Sequence, residues 1–320
     1  MHAVRLGGIH MGKTLDQIIQ MAGRIGSCRV AVAGSADSEV LRAVTEAHKQ
    51  GLCTPVLVGE PERTEALLAQ LGCKADGYEI IEASDGPQCA ARAVELVREG
   101  KANLLMKGMI NTSDMMRAVI SHETGIRTSH LISHVMLYQV STYPKVLAVT
   151  DGGMIPCPTL EQKKGILENA AALFQLLGYT SINASCICGS EVMNPKITAM
   201  TDAATLAGMK ELWKKWNMNV IGPVGLDLAI SRESCDHKGY SEPGCGDADI
   251  LLVPAYEVGN ALGKSMTYFA GARNAGVVLG AACPIVLVSR SDAADSKLAS
   301  IALGAIASGM KYNFDEGENS

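Results

Sequence analysis

Apolar residues in this chain follow two alternating patterns. Short, nearly continuous runs rich in β-branched residues recur from about residue 29 onward. Between them lie longer stretches whose apolar positions repeat every three or four residues. The short runs predict strands at 30–33, 56–58, 79–81, 104–107, 131–137, 146–150, 182–187, 220–221, 250–253, 277–279 and 285–288. The longer stretches predict helices at 38–50, 62–72, 87–100, 113–121, 159–177, 198–216, 257–271 and 292–308. Strands that are apolar throughout belong in a sheet covered on both faces. Regular alternation of strand and helix gives a mostly parallel, doubly wound α/β protein. So many strands would make a single sheet very wide, so the pattern predicts two sheets with a cleft between them.

Local signals sharpen this outline. Thr159-Leu-Glu-Gln162 reads as a capping box ahead of a long helix. The helix at 292–308 places Leu298, Ile301, Ala302, Ala305 and Ile306 on one face. The polar, acidic tail 313–320 is expected to fray. No internal repeat or low-complexity tract interrupts the chain.

Composition narrows the function. With 48% hydrophobic residues in 320, the chain can bury a substantial core and divide into two domains. A net charge of −5 supplies no positive field for a phosphate polymer, so neither nucleic acid nor a membrane surface is an expected partner. The ten cysteines are scattered through apolar runs without CxxC or His/Cys ligand spacing, which points to reduced thiols and no metal site. The start lacks a long apolar leader and no run reaches the ~18 apolar residues of a membrane span, so a cytoplasmic protein is expected.

Four segments carry candidate chemistry. Gly7-Gly-Ile-His-Met-Gly12-Lys13-Thr14 fits the P-loop spacing. That loop works only behind a buried strand, and only residues 3–6 precede it, so a lead-in to a helix around 15–25 is expected instead. Residues 104–117 form a strand, a glycine turn and a helix start, with Thr112 or Ser113 as cap, Lys107 at the strand end and Arg117 one turn in. Residues 249–265 repeat the arrangement, with Asn260 and Lys264 four apart on one helical face. The spacing of Gly259 and Gly263 suits close helix–sheet packing as well as a ligand. The most telling segment is Pro284–Lys297, where an apolar strand runs into Ser289 and Arg290, and Asp292 and Asp295 open the next helix. In open α/β sheets ligands sit outside the carboxyl ends of strands, and a guanidinium fork matches phosphate oxygens. The two aspartates also suit a helix start by themselves. His122, His130 and His134 lack ligand-type spacing, and His134, inside an apolar strand, is expected to be a satisfied core histidine.

Together these segments resemble the phosphate acetyl/butyryltransferase family, its butyryl-transferring members above all, over nearly the whole chain. The resemblance is carried by Lys107-Gly-Met-Ile-Asn-Thr112, residues 247–254, Glu257-Val-Gly-Asn260, Lys264-Ser265 with Tyr268-Phe-Ala270, and Ser289-Arg-Ser-Asp292 with Lys297-Leu and Ser300-Ile-Ala-Leu303. Val192-Met-Asn-Pro-Lys196 agrees as well. It implies reversible transfer of a short-chain acyl group, butyryl favoured over acetyl, in which acyl-CoA and inorganic phosphate give acyl phosphate and CoA. Coenzyme A is then a substrate, with no permanently bound cofactor. The resemblance further implies two doubly wound α/β/α domains of the isocitrate/isopropylmalate dehydrogenase type, an interdomain cleft and a homodimer. The chain's ends build one domain, at 1–126 plus 275–320, and the middle builds the other, at 127–274.

Residue roles follow from the same resemblance. Ser289 is the donor near the oxyanion or thiol, Arg290 holds the phosphoryl group, and Arg117 contacts acyl phosphate or CoA. Lys107, Thr112, Asn260 and Lys264 are further substrate-binding candidates. Acetyl-transferring relatives place an Asp seven residues after the matching Ser; here that position is Ser296. Asp295 and Asp292 are therefore both candidates for the base, Asp295 ahead. Two competing readings are a metal-dependent dehydrogenase on this architecture and a non-catalytic CoA- or nucleotide-binding regulatory protein. For the first, only Asp247 and Asp249 offer spaced aspartates, and they precede their strand.

Overall fold

The computed structural model describes residues 13–26, 28–287 and 294–310. The strands are β1 (Cys28–Ala33), β2 (Cys53–Gly59), β3 (Glu79–Glu82), β4 (Leu104–Lys107), β5 (Ser133–Gln139), β6 (Leu147–Thr150), β7 (Ile182–Ile187), β8 (Met218–Val224), β9 (Ile250–Leu252), β10 (Arg273–Leu279) and β11 (Ile285–Leu287). Each was expected from the apolar runs. They form one eleven-stranded sheet in the order β3-β2-β1-β4-β11-β10-β5-β6-β9-β7-β8. Pairing is parallel except at β11–β10, β10–β5 and β5–β6.

The expected gap between two sheets is therefore bridged. β5 and β10 run antiparallel in unbroken register from Ser133↔Leu279 to Gln139↔Arg273. Each would otherwise present a bare strand edge, and pairing satisfies both rows of backbone groups. The chain also returns late to its beginning, because β11 lies between β4 and β10.

The helices are α1 (Leu15–Ile25), α2 (Ser38–Lys49), α3 (Pro61–Gln70), α4 (Gly86–Arg98), α5 (Thr112–Ile120), α6 (Leu160–Leu176), α7 (Thr198–Gly208), α8 (Lys210–Lys214), α9 (Leu226–Ile230), α10 (Arg232–Lys238), α11 (Tyr256–Ala270) and α12 (Ala294–Ala307). At the start of α1, Thr14 Oγ1 accepts from Gln17 N–H and Gln17 Oε1 accepts from Thr14 N–H. The end of the P-loop-like segment thus serves as a capping box, while Gly7–Gly12 lies outside the described residues. The box read at Thr159 is present too: its Oγ1 accepts from Gln162 N–H at 3.3 Å, and Gln162 Oε1 accepts from Thr159 N–H at 2.9 Å.

Three expectations change. The single helix at 198–216 divides at Met209, where the buried Trp213 indole N–H donates to Leu206 O at 2.7 Å and turns α8 away from α7. The cap of α5 is Asn111, one residue before Thr112, and its amide donates to Asp114. Finally, α12 is buried from Ser296 through Ala307 apart from Leu298, not on one face only. It packs among α1, α2, α6 and the sheet, and a helix apolar on all sides belongs in such a position. The short α9 and α10 were not foreseen.

All ten cysteines are free thiols, most of them buried. Burial pushes the Cys28 and Cys186 thiols up to about 12, where they are inert. Among the described residues no helix is long and apolar enough to cross a membrane.

Candidate active site

Strand β5 alternates faces, and His134, Met136 and Tyr138 point to the same side of the sheet. Helix α11 crosses over that side and comes unusually close, because two of its residues lack side chains. Gly259 sits on Gly152 after β6, where a Cβ would lie 2.8 Å from the Gly152 Cα. One turn on, a Cβ at Gly263 would collide with the Tyr138 hydroxyl. The glycine pair is thus explained by packing, and that packing makes the site. Beside the contact line a cavity of about 510 Å³ opens between α11, the sheet and the start of α12. Asn260 and Lys264 from α11, Arg273 and Asn274 from β10, Leu287 from β11, and Asp295 and Ser296 from α12 all line it. Its size suits a small-molecule ligand.

One wall is organised by Asp151. This buried carboxylate accepts Gly153 and Met154 N–H on Oδ1, both at 2.7 Å, and His134 N–H on Oδ2 at 3.0 Å. Thr150 Oγ1 donates to His134 O at 2.8 Å, so the end of β6 clasps the backbone of β5 on both sides of His134. The His134 ring itself is not the satisfied core histidine that was expected. Its Nδ1 is buried and has no hydrogen-bond partner among the described residues. Burial pushes the imidazole below its ordinary range, and the nearby Asp151 charge opposes that shift.

A second wall is an ion bridge. Arg273 donates to both Asp16 oxygens, at 3.1 and 2.9 Å, and its Nη2 also reaches Asp295 Oδ2 at 2.9 Å. The guanidinium holds Asp16 below the usual carboxylate range through that direct hydrogen bond. Asp295 thus faces the cavity already engaged by a cation.

The sequence-derived candidates divide into three groups. Asn260, Lys264 and Asp295 meet at the cavity. Lys107, Thr112 and Arg117 do not line it: Lys107 Nζ donates to the carbonyls of Gly108 and Ile110, Thr112 opens α5, and Arg117, 72% exposed, pairs with Asp114 at 3.1 Å. Ser289, Arg290 and Asp292 lie outside the described residues. Of the other histidines, His122 accepts from Arg127. Asp247 and Asp249 both bind Lys145 Nζ, at 2.9 and 2.6 Å, next to the start of β9. Burial pushes Asp249 above the usual carboxylate range, while Lys145 pulls it back. Among the described residues no group of three His, Cys, Asp or Glu side chains could hold a metal. Arg273 and Asn274 line the wall and Asp151 supports it, and the sequence singled out none of the three; His134 was weighed there only as a core histidine.

A cavity with a lysine, a guanidinium and two amides on its rim, over Met136, Val149 and Leu287, can bind an anion beside a small apolar group. Comparison with known proteins agrees. The family model described as Phosphate acetyl/butaryl transferase matches residues 13–93 and 88–305. The phosphate butyryltransferase of Clostridium acetobutylicum is 35% identical over 301 residues, covering 94% of this chain and 100% of that protein. A branched-chain phosphotransacylase from Enterococcus faecalis superposes with a TM-score of 0.78 at 31% identity, over 88% of this chain and 99% of that one. A 4-hydroxythreonine-4-phosphate dehydrogenase from Klebsiella pneumoniae shares the fold alone, with a TM-score of 0.54 at 11% identity over 88% of this chain and 99% of that one. The dehydrogenase-like architecture therefore carries a transferase here, and the chain belongs to the phosphate acetyl/butyryl transferase family of acyltransferases.

Proposed function

We propose that this acyltransferase moves a short-chain acyl group, butyryl in preference to acetyl, between coenzyme A and inorganic phosphate. The observation that carries the reading is the composition of the cavity. Lys264, Asn260 and Asn274 supply donors for phosphate and for the developing oxyanion, while Met136, Val149 and Leu287 offer an apolar floor to the acyl chain. Ser289 and Arg290 complete the site as the oxyanion or thiol donor and the phosphate clamp. In support, the residues flanking them on each side, Leu287 and Asp295, both line the cavity. Leu287 is also in register with Lys107, which brings the turn carrying Lys107, Thr112 and Arg117 alongside as a CoA-binding rim. Asp295 anchors Arg273 in this arrangement, and Asp292 is the remaining carboxylate of the segment.

The enzyme works without a permanently bound cofactor, as a cytoplasmic homodimer. Tyr268 and Phe269, 69% and 92% exposed near the end of α11, are apolar surface suited to a subunit contact. Residues 1–126 with 275–320 form one α/β domain and 127–274 the other; the return of β11 beside β4 and of α12 onto α1 supports that division.

The test is kcat/KM across acetyl-, propionyl-, butyryl- and branched acyl-CoA with phosphate, following free thiol with a thiol reagent. A butyryl preference of about tenfold or more over acetyl is expected, since each methylene in an apolar pocket is worth roughly 1–3 kcal/mol. Equal or better turnover of acetyl-CoA overturns the chain-length assignment. No thiol release from any of the four overturns the reaction.

A further inference from the structure

The acyl transfer proposed above needs a group that takes the thiol proton of coenzyme A and gives one to phosphate. Asp295, the carboxylate expected first as the base, is bound to Arg273 at 2.9 Å. His134 stands free. A histidine buried only for packing normally finds a hydrogen-bond partner, yet the buried Nδ1 has none among the described residues. Two glycines let the backbone pack closely against the ring. Gly153 faces Nδ1 and Gly276 faces Nε2, and at each glycine a Cβ would come within 3.0 Å of the nitrogen. The clasp of Asp151 and Thr150 on the His134 backbone fixes where the ring stands on the cavity wall.

We propose that His134 is the proton carrier of the acyl transfer in this enzyme. In the direction of CoA attack, the neutral imidazole takes the thiol proton. The thiolate forms the C–S bond at the acyl phosphate carbonyl, and the tetrahedral adduct breaks its C–O bond to phosphate. The departing phosphate oxygen takes the proton from the imidazolium, which regenerates the neutral ring. The reverse reaction runs through the same states: phosphate gives up its proton as it attacks the thioester, and the leaving thiolate receives it. No redox or metal partner enters this balance. Burial favours the neutral ring at rest, and the Asp151 carboxylate favours the imidazolium formed on proton uptake. Among the described residues, the other titratable groups that face this space are Lys264 and Tyr268 on α11, Tyr138 on β5, Arg273 on β10 and Asp295 on α12.

The inference rests on the acyltransferase reading, and the experiment separates the two. Thiol release from butyryl-CoA and phosphate is measured for the wild type, His134→Gln and His134→Ala from pH 5 to 9, with thermal unfolding of each variant. Wild-type kcat/KM should fall on the acid side, through a limb below pH 6.5, as the ring becomes protonated. His134→Gln should lose about 10²- to 10⁴-fold and lose that limb, and millimolar imidazole should restore part of the His134→Ala rate. Activity of His134→Gln within threefold of the wild type overturns the inference. So does a folded variant that is slow but keeps the acid limb and shows no rescue, because the ring would then only shape the wall. A wild type inactive on every acyl-CoA overturns the acyltransfer reading itself, and the inference with it.

Discussion

Adding one methyl group at Gly263 tests how closely the site depends on the approach of α11. Alanine in a helix interior is favoured over glycine by about 1 kcal/mol, so by propensity alone Gly263→Ala would stabilise the protein. The structure reverses that sign. The new Cβ would overlap the Tyr138 hydroxyl and lie 2.7 Å from its Cζ, a ring atom that belongs to the packed core. Overpacking of this kind costs roughly 1–3 kcal/mol, which outweighs or cancels the propensity gain. Relief comes either from lifting α11, which carries Asn260 and Lys264 with it, or from swinging Tyr138 into the cavity. Either displacement should lower kcat/KM for acyl-CoA by about 10- to 100-fold, since a shift near 1 Å is enough to spoil alignment. Gly208→Ala is the matched control, because nothing lies within 4 Å of its Cβ position and α7 should gain up to about 1 kcal/mol. Tyr138→Phe added to Gly263→Ala should recover only part of the loss, since it removes the hydroxyl and leaves Cζ in place. The assays are chemical unfolding and steady-state kinetics. A Gly263→Ala enzyme as stable and as active as the wild type would refute the close-contact argument.

Four further outcomes are expected. Because the folded His134 ring has a lowered pKa, the unfolded chain takes up a proton near pH 6.5 that the folded chain refuses. Wild-type stability should therefore fall relative to His134→Gln as pH drops from 6.5 towards 5, and parallel stability curves would count against the shift. Lys163→Met should destabilise by roughly 2–4 kcal/mol, because it strands the largely buried Asp202 carboxylate that Lys163 holds at 2.7 Å; urea titration reads this directly. Thr159→Ala should cost about 1 kcal/mol through loss of the capping box on α6, again by urea titration. Arg290→Ala should cut kcat by about 10²–10³-fold with unchanged unfolding behaviour if it clamps phosphate, and near-normal turnover would remove that role.

The fold was largely legible because strand-forming residues cluster where strands are. Every apolar run that predicted a strand became one, down to the three-residue β11. The sequence could not show that β5 and β10 pair, since 134 residues separate the ends of that ladder, Gln139 and Arg273, and edge satisfaction is a property of the assembled sheet. Likewise, the residues of α12 that seemed to face water are covered by α1 and α2, which lie far away in sequence. At the site, Asn260 and Lys264 were readable from helical spacing. Arg273 was not, because its carboxylate Asp16 lies 257 residues away. His134 was read as satisfied because a histidine within an apolar run usually is. Only the assembled structure shows that the ring packs against the backbone of Gly153 and Gly276, with Nδ1 left without a hydrogen-bond partner among the described residues.

The late return of the chain to the sheet has a consequence for how this protein is made. Strand β4 has no partner on its outer side until β11 is synthesised, and β5 waits for β10 in the same way. The apolar face of α1, near the beginning, waits for α12, near the end. A growing chain on the ribosome therefore carries two open strand edges and an uncovered helix for most of its translation. The middle of the sheet closes only when its last segments emerge. Truncation beyond about residue 270 should thus release not a smaller enzyme but a sticky fragment, its two half-sheets seeking partners in one another or in other chains.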